Sequence, residues 1–288
     1  MVSIIIINYF QKELLLQCLS SIYKCISSYP FEIIIVNNST GQKLDEISSE
    51  FPDTTIIPNE NRGFSQANNL AAGRSKGEYL LFLNADTIFQ NDFLKDLISS
   101  AEKIKFGAIG LKLYNSDGTF QLSFWKENNF FNEISNKKSE QQFAARNKQY
   151  MNAIEDSHKE LSEVEWVTGA SLFVKKEIYN EVGGYDEDYF LFYEDADLCR
   201  KFMDHGYKIY FFPGSRIIHL KGENANPSYQ SSTYYFVKDS QLLYYNKHAD
   251  IFNRILLRIY LFFRFLLLSL LTFKKINFKI LGRVLSFR

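Results

Sequence analysis

From residue 1 to about 115, short β-branched apolar runs alternate with segments of helical periodicity, the pattern of a parallel sheet covered by helices. Runs at 3–7, 32–37, 54–58, 79–83 and 107–113 read as strands. Leu15, Leu19, Ile22 and Ile26 recur at helical spacing, so 12–28 reads as an amphipathic helix packed on the sheet. Residues 126–160 turn polar, rich in Asn, Lys, Gln and Glu, and are expected to be an inserted surface segment. Regular structure resumes at Glu165-Trp166-Val167, with Trp166 expected in the core. Leu172-Phe173-Val174 reads as a strand, a helix runs from Glu194 to about Asp204, and strands follow at 207–212 and 215–219. The fold class expected is α/β, with a mixed, mainly parallel sheet flanked by helices.

Composition sharpens this at the C-terminal end. Residues 251–273 form an apolar helical stretch and 276–287 a shorter one, and 251–288 hold eight Lys or Arg but no Asp or Glu. The rest of the chain therefore carries 25 basic residues against 33 acidic. An acidic body with a basic, apolar tail argues against nucleic acid and for an anionic membrane surface. The 19 residues from Ile255 to Phe273 approach the roughly 20 that span a bilayer, but Arg258 and Arg264 interrupt them. Such a helix is expected to lie in the membrane interface, its arginines reaching to headgroups. Cys18, Cys25 and Cys199 are odd in number and lack metal-type spacing, which fits a reducing cytoplasm rather than a disulfide framework or a zinc site. The chain divides into a catalytic unit at 1–222, with halves at about 1–115 and 116–222, a connecting helical segment at 223–250, and the tail at 251–288.

Candidate chemistry gathers at strand ends. Leu80-Leu81-Phe82-Leu83-Asn84-Ala85-Asp86 is a continuous apolar run closed by a carboxylate, which places Asp86 where open α/β sheets bind their ligands. Alone, an Asp there is more often a cap or turn residue. Upstream, Asn59-Glu60-Asn61-Arg62-Gly63-Phe64 makes a loop in which Gly63 permits close approach of backbone to ligand. Val36-Asn37-Asn38 closes the second strand with amides that donate and accept hydrogen bonds. Downstream, six acidic residues between 186 and 197 interleave with aromatics. Glu194 and Asp195 complement a helix dipole there, but so dense a cluster calls for a compensating cation or substrate. His219 ends a strand, usually a structural position, although beside Asp86 it would serve as a metal ligand.

In this order the motifs resemble the family 2 inverting glycosyltransferases with a GT-A fold, especially their rhamnosyltransferase-like branch in bacterial surface-polysaccharide synthesis. The resemblance covers roughly residues 2–222. It implies a nucleoside-diphosphate sugar donor, dTDP- or UDP-linked, with rhamnose the family-weighted sugar, and a lipid-linked glycan acceptor. Asn84-Ala85-Asp86 looks like the family's strand-end motif, with Asp86 binding Mg²⁺ or Mn²⁺ and His219 as a further ligand. Glu194-Asp195 looks like its Glu-Asp pair, with Asp195 the catalytic base. Asn8, Asn37, Asn38, Asn61, Gly63, Phe64, Asn69, Asn84 and Ala85 are then expected around the nucleotide sugar. Gly169, Ala170, Glu194 and Asp197 are expected to position sugar or acceptor. Asn37 stands where the family commonly has an Asp that holds the base. Together with the tail, the resemblance places the chain peripherally on the cytoplasmic face of the inner membrane. A sugar-1-phosphate nucleotidyltransferase would need a Gly-rich phosphate loop after the first strand, where this chain has Asn8-Tyr9-Phe10-Gln11-Lys12-Glu13. A non-catalytic membrane-bound carbohydrate-binding or scaffold protein is the rival of another class.

Overall fold

The computed structural model of the chain describes residues 1–220 and 227–286. Its first half alternates strand and helix: β1 (Val2–Asn8), α1 (Lys12–Cys25), β2 (Phe31–Asn37), α2 (Asp45–Glu50), β3 (Thr55–Pro58), α3 (Phe64–Arg74) and β4 (Tyr79–Asn84). A short β5 (Thr87–Phe89), α4 (Leu94–Ala101) and β6 (Phe106–Tyr114) complete it. Then come β7 (Phe120–Gln121), β8 (Phe124–Trp125), α5 (Phe130–Ala144), α6 (Lys148–Asp156), β9 (Ser162–Val164), β10 (Trp166–Val167), β11 (Ser171–Lys175) and α7 (Lys176–Glu181). The chain continues through α8 (Glu194–Asp204), β12 (Lys208–His219), α9 (Pro227–His248), α10 (Ile251–Thr272) and α11 (Lys275–Leu285). The start of the expected 223–250 connection and the end of the expected 276–287 helix fall outside the described residues.

The main sheet runs β3-β2-β1-β4-β11-β6-β12-β5. β1, β2, β3 and β4 are parallel, whereas β11 inserts antiparallel between β4 and β6. Central strands bury both faces: Ile4 and Ile6 meet the α1 side through Leu15, Leu19 and Ile22, while Ile5 joins Phe82, Tyr185 and Phe202 on the other. That two-sided burial is why these strands are continuous apolar runs.

Three expectations change. The strands expected at 207–212 and 215–219 are one strand, β12, whose register shifts between Phe212 and Ile217; a bulge absorbs Pro213-Gly214, where the sequence suggested a turn. The polar run 126–160 folds into α5 and α6, capped by the side chains of Asn129 and Asn147, with Phe143 and Met151 buried. The arginines expected to reach for headgroups are engaged within the protein. Arg258 donates to the Val284 and Ser286 carbonyls at 2.6 and 3.1 Å, Arg254 to the Ala249 carbonyl, and Arg264 to the Tyr260 hydroxyl. Carbonyls at a helix end have no partner inside the helix and lie at the negative end of its dipole, so the guanidinium of Arg258 is drawn to the end of α11.

The inner row of α10 is Leu257, Leu261, Phe265 and Ser269, and its three apolar members pack in a third cluster with Tyr189, Ala196 and Tyr245. Its outer row is exposed and apolar, including Phe252, Phe263, Leu267 and Leu271. The helix is thus both part of the fold and open on one side. Leu261→Ala should lower the unfolding free energy by about 2–5 kcal/mol, the cost of a large-to-small change in a core, measured by denaturant melts. No loss would mean that α10 is a detached tail.

Candidate active site

At the carboxyl ends of β1 and β4 a cavity of about 260 Å³ is lined by Asn38, Asn61, Gly63, Phe64, Asn84, Ala85 and Asp86 on one side and Gly169, Ala170, Glu194 and Asp195 on the other. Tyr9, Gln11, Thr168 and the backbone run Phe190–Phe192 complete it. The position is the one that a doubly wound sheet provides for ligands.

Asp86 follows β4 by two residues and is 5% exposed. His219 closes β12, and its Nε2 stands 3.3 Å from Asp86 Oδ1 and 3.3 Å from Asn84 Nδ2. The other ring nitrogen, Nδ1, is 2.7 Å from Gln121 Oε1. The Gln121 amide nitrogen already donates to the His219 carbonyl and to Asn115 Oδ1, so its oxygen faces the ring and Nδ1 must carry the proton. In the neutral ring Nε2 then carries the lone pair on the Asp86 side, the arrangement that a ligating histidine needs. Two ligands about 2.1 Å from a cation and at right angles stand about 3 Å apart, so Asp86 and His219 fit a divalent ion. No group of three or more His, Cys, Asp or Glu suited to a metal occurs among the described residues. A cation here would complete its shell with phosphate oxygens and water.

Across the cavity, Asp195 opens α8. Its Oδ2 accepts from the Gly169 N–H at 2.8 Å and its Oδ1 from the Ala196 N–H at 2.9 Å. Burial raises its pKa, and these hydrogen bonds pull back against the rise. Glu194 is raised well above its ordinary value by burial and by the charge of Asp195, and its Oε2 is buried with no hydrogen-bond partner. The entry into α8 is strained: Phe192 and Tyr193 both lie in the left-handed region, at φ 70° and 65°. The Gly63 loop braces that segment, since the Phe64 N–H donates to the Phe190 carbonyl at 2.8 Å. At φ +109°, Gly63 brings its α-carbon so close that a Cβ would stand 2.7 Å from that same oxygen.

Several expected site residues lie outside the cavity. Asn8 is fully buried, bridging Asn37, Ser39 and Gln42, and Asn37 in turn donates to the Gln42 carbonyl. Both tie the ends of β1 and β2 together, and Asn37 borders a separate hollow with Thr40 and Pro58. Asn69 bonds Tyr179, Tyr185 and Glu187, next to the Gly183-Gly184 turn. Asp197 is 1% exposed and meets His248 Nε2 at 2.6 Å, linking α8 to α9. Asn8 and Asp197 are buried, where a polar group needs an internal partner, while Asn37 and Asn69 are half-buried. Trp166, expected in the core, is half-buried and stacked on Trp125 at 4.3 Å. Gln121 and Thr168 escaped sequence reasoning, because neither belongs to a local pattern.

The match to known proteins follows this geometry. The family model described as "Glycosyl transferase family 2" matches residues 3–156, and one described as "N-terminal domain of galactosyltransferase" matches 148–223. The chain belongs to glycosyl transferase family 2. It is 24% identical over 270 residues to rhamnosyltransferase WbbL of Escherichia coli K12, covering 88% of this chain and 96% of WbbL. A stretch of 83 residues, 26% of this chain and 27% of the relative, is 30% identical to an N-acetylglucosaminyl-diphospho-decaprenol L-rhamnosyltransferase of Mycobacterium tuberculosis. Among solved structures it is similar to a mannosyltransferase of Pyrobaculum calidifontis in complex with GDP-Man and Mn²⁺, with a TM-score of 0.58 and 16% identity. That match covers 98% of this chain and 72% of the mannosyltransferase. GalNAc-T7 with UDP, GalNAc and Mn²⁺ gives a TM-score of 0.57 at 18% identity, over 85% of this chain and 49% of that one. The fold is therefore GT-A, and the chain is a glycosyltransferase.

Two outcomes test the geometry. Gly63→Ala should destabilise the protein by about 1–3 kcal/mol through overpacking and backbone strain, read as a lowered denaturation midpoint. Ionised Glu194 is penalised in the folded state, so its contribution to stability is complete at low pH and is lost as pH rises above the ordinary Glu value towards the raised one. Glu194→Gln should then raise the melting temperature more at pH 8 than at pH 5, by about 2–4 °C for each kcal/mol recovered.

Proposed function

We propose that the chain moves a sugar, rhamnose by family weight, from a dTDP- or UDP-linked donor to a hydroxyl of a lipid-linked glycan, with inversion at the anomeric carbon. The observation that carries this is that Asp86 and Asp195, delivered by β4 and α8, line one cavity. One carboxylate stands beside a histidine lone pair and the other is held by backbone amides, so the two walls offer different chemistry. Asn38, Asn61, Gly63, Phe64, Asn84 and Ala85 surround the nucleotide sugar in this reading, and Gly169 and Ala170 position its sugar. Asp86 and His219 hold Mg²⁺ or Mn²⁺. A divalent ion held by Asp86 and His219 would supply positive charge to offset the charge gained by the departing nucleoside diphosphate.

On the far side of the sugar, Asp195 accepts the proton of the attacking hydroxyl as the new bond forms. Its amide bonds from Gly169 and Ala196 fix the direction of the lone pair, and burial makes the carboxylate a stronger base than one in water. Solved neighbours whose titles name UDP or GDP-Man with Mn²⁺ support the donor and metal, and the diphospho-decaprenol relative supports the lipid-linked acceptor. The α10 helix supports work at the cytoplasmic face of a membrane. It is long and apolar enough to cross a bilayer, yet its inner row is packed on the protein and its outer row is exposed, which favours lying in the interface.

A panel of nucleotide sugars assayed for metal-dependent donor hydrolysis identifies the donor, and transfer is then followed with a lipid-linked acceptor. Asp195→Asn should cut transfer by about 10²–10⁴-fold; retained turnover would remove Asp195 from the base role. The chain should sediment with anionic vesicles, less so as salt rises. Phe263→Asp together with Leu271→Asp should release it, and unchanged sedimentation of that variant would count against the interfacial placement.

A further inference from the structure

A second cavity lies behind the first. It occupies about 360 Å³ between α5, α8, α9 and the β8–β10 ribbon, and it shares Thr168, Phe192, Glu194 and Asp195 with the cavity already described. Asp195 is therefore a wall between two chambers. Trp125 and Trp166, stacked nearly parallel at 15°, form one side of the second. Three of its lining residues keep buried polar atoms without a hydrogen-bond partner: Trp125 Nε1, Asn128 Nδ2 and Glu194 Oε2. Asn128 is 7% exposed and Glu194 6%. Each such atom costs free energy in the empty fold, and a ligand that offers both donors and acceptors relieves it. Two lysines, Lys137 and Lys238, and four carboxylates, Glu133, Glu140, Glu194 and Asp195, share the lining, an excess of acid that suits a neutral polyhydroxy group and disfavours an anion.

The chamber does not end blindly. Glu133 and Lys137 also line an adjoining groove between α5 and α10, whose apolar members are Phe130, Ile134, Leu257 and Tyr260. Lys137 and Lys138 flank the junction, and the groove opens at α10, the helix with the exposed apolar row. Polar chamber, cationic seam and apolar groove follow one another from Asp195 outward.

We infer that this path is the acceptor site: a sugar sits in the chamber against Trp125 and Asn128, its phosphate link passes the Lys137–Lys138 seam, and the first isoprene units lie in the α5–α10 groove. This rests on the proposed transfer reaction for the role of Asp195, but the binding path is tested without any donor. It makes Trp125, Asn128 and Ile134 determinants of acceptor choice.

The chain's two tryptophans are both in the chamber wall, so fluorescence excited selectively at tryptophan reports on this wall. The full chain is titrated with farnesyl-diphospho-linked N-acetylglucosamine, glucose and galactose, and with farnesyl diphosphate and the free sugars for comparison. At least one lipid-linked sugar should give a saturable change. Asn128→Ala should raise its dissociation constant about tenfold, the scale of one hydrogen bond to a desolvated group. Ile134→Glu, at a position 48% exposed where folding is not at risk, should remove the advantage of the lipid-linked sugar over the free one. A flat signal with every probe, or titrations that neither variant alters, would overturn the path. Absence of donor turnover with intact titrations would instead count against the transfer reaction and leave the site standing.

Discussion

One short stretch of backbone couples the Asp86 and Asp195 sides of the candidate site. The N–H of Gly169 holds the Asp195 carboxylate, while the next residue, Ala170, accepts from the Asn84 N–H at 3.0 Å and so docks on the strand that delivers Asp86. This link exists because β11 runs antiparallel between β4 and β6, bringing the residues before Ser171 to the carboxyl end of β4. A parallel strand in that slot would send the same loop to the opposite edge. The antiparallel insertion thus lets residues 84–86 after β4 and residues 168–170 before β11 share one cavity with the start of α8.

Around this link the structure tolerates several costs. Two consecutive aromatic residues sit in the left-handed region, and two adjacent carboxylates are buried at a helix start. Such concentrations of strain and desolvation persist only where neighbouring structure holds them. Here the braces are Gly63 against Phe190, the Asn69 bonds around Tyr185, and the Asp197–His248 pair. Asn69 and Asp197 thus brace the segment that carries Glu194 and Asp195.

What the sequence reveals depends on how local the physics is. Strands β1, β2 and β4 are legible because burial on both faces demands unbroken apolar runs, and Asp86 and Asp195 stand at the ends of recognisable elements. The internal partners of Asn69 and Asp197 are not legible, because an amide or carboxylate near a motif looks the same whether it meets a ligand or a buried neighbour. Gln121 was invisible: its importance lies in fixing the proton on His219, 98 residues away. The arginines of α10 were placed on a membrane because periodicity shows which side of a helix they occupy and does not show that the end of α11 lies against Arg258.

The account depends most on Asp86 and His219 acting together on a cation that the donor's phosphates complete. Pulsed electron paramagnetic resonance of Mn²⁺ added with UDP, dTDP or GDP to the histidine-¹⁵N-labelled protein examines this directly. The account predicts that one of these nucleotides recruits Mn²⁺ to a site showing both phosphorus coupling and coupling to a single histidine nitrogen, the latter absent in His219→Ala. Mn²⁺ bound with phosphorus coupling but no histidine coupling in the unmodified chain would contradict it.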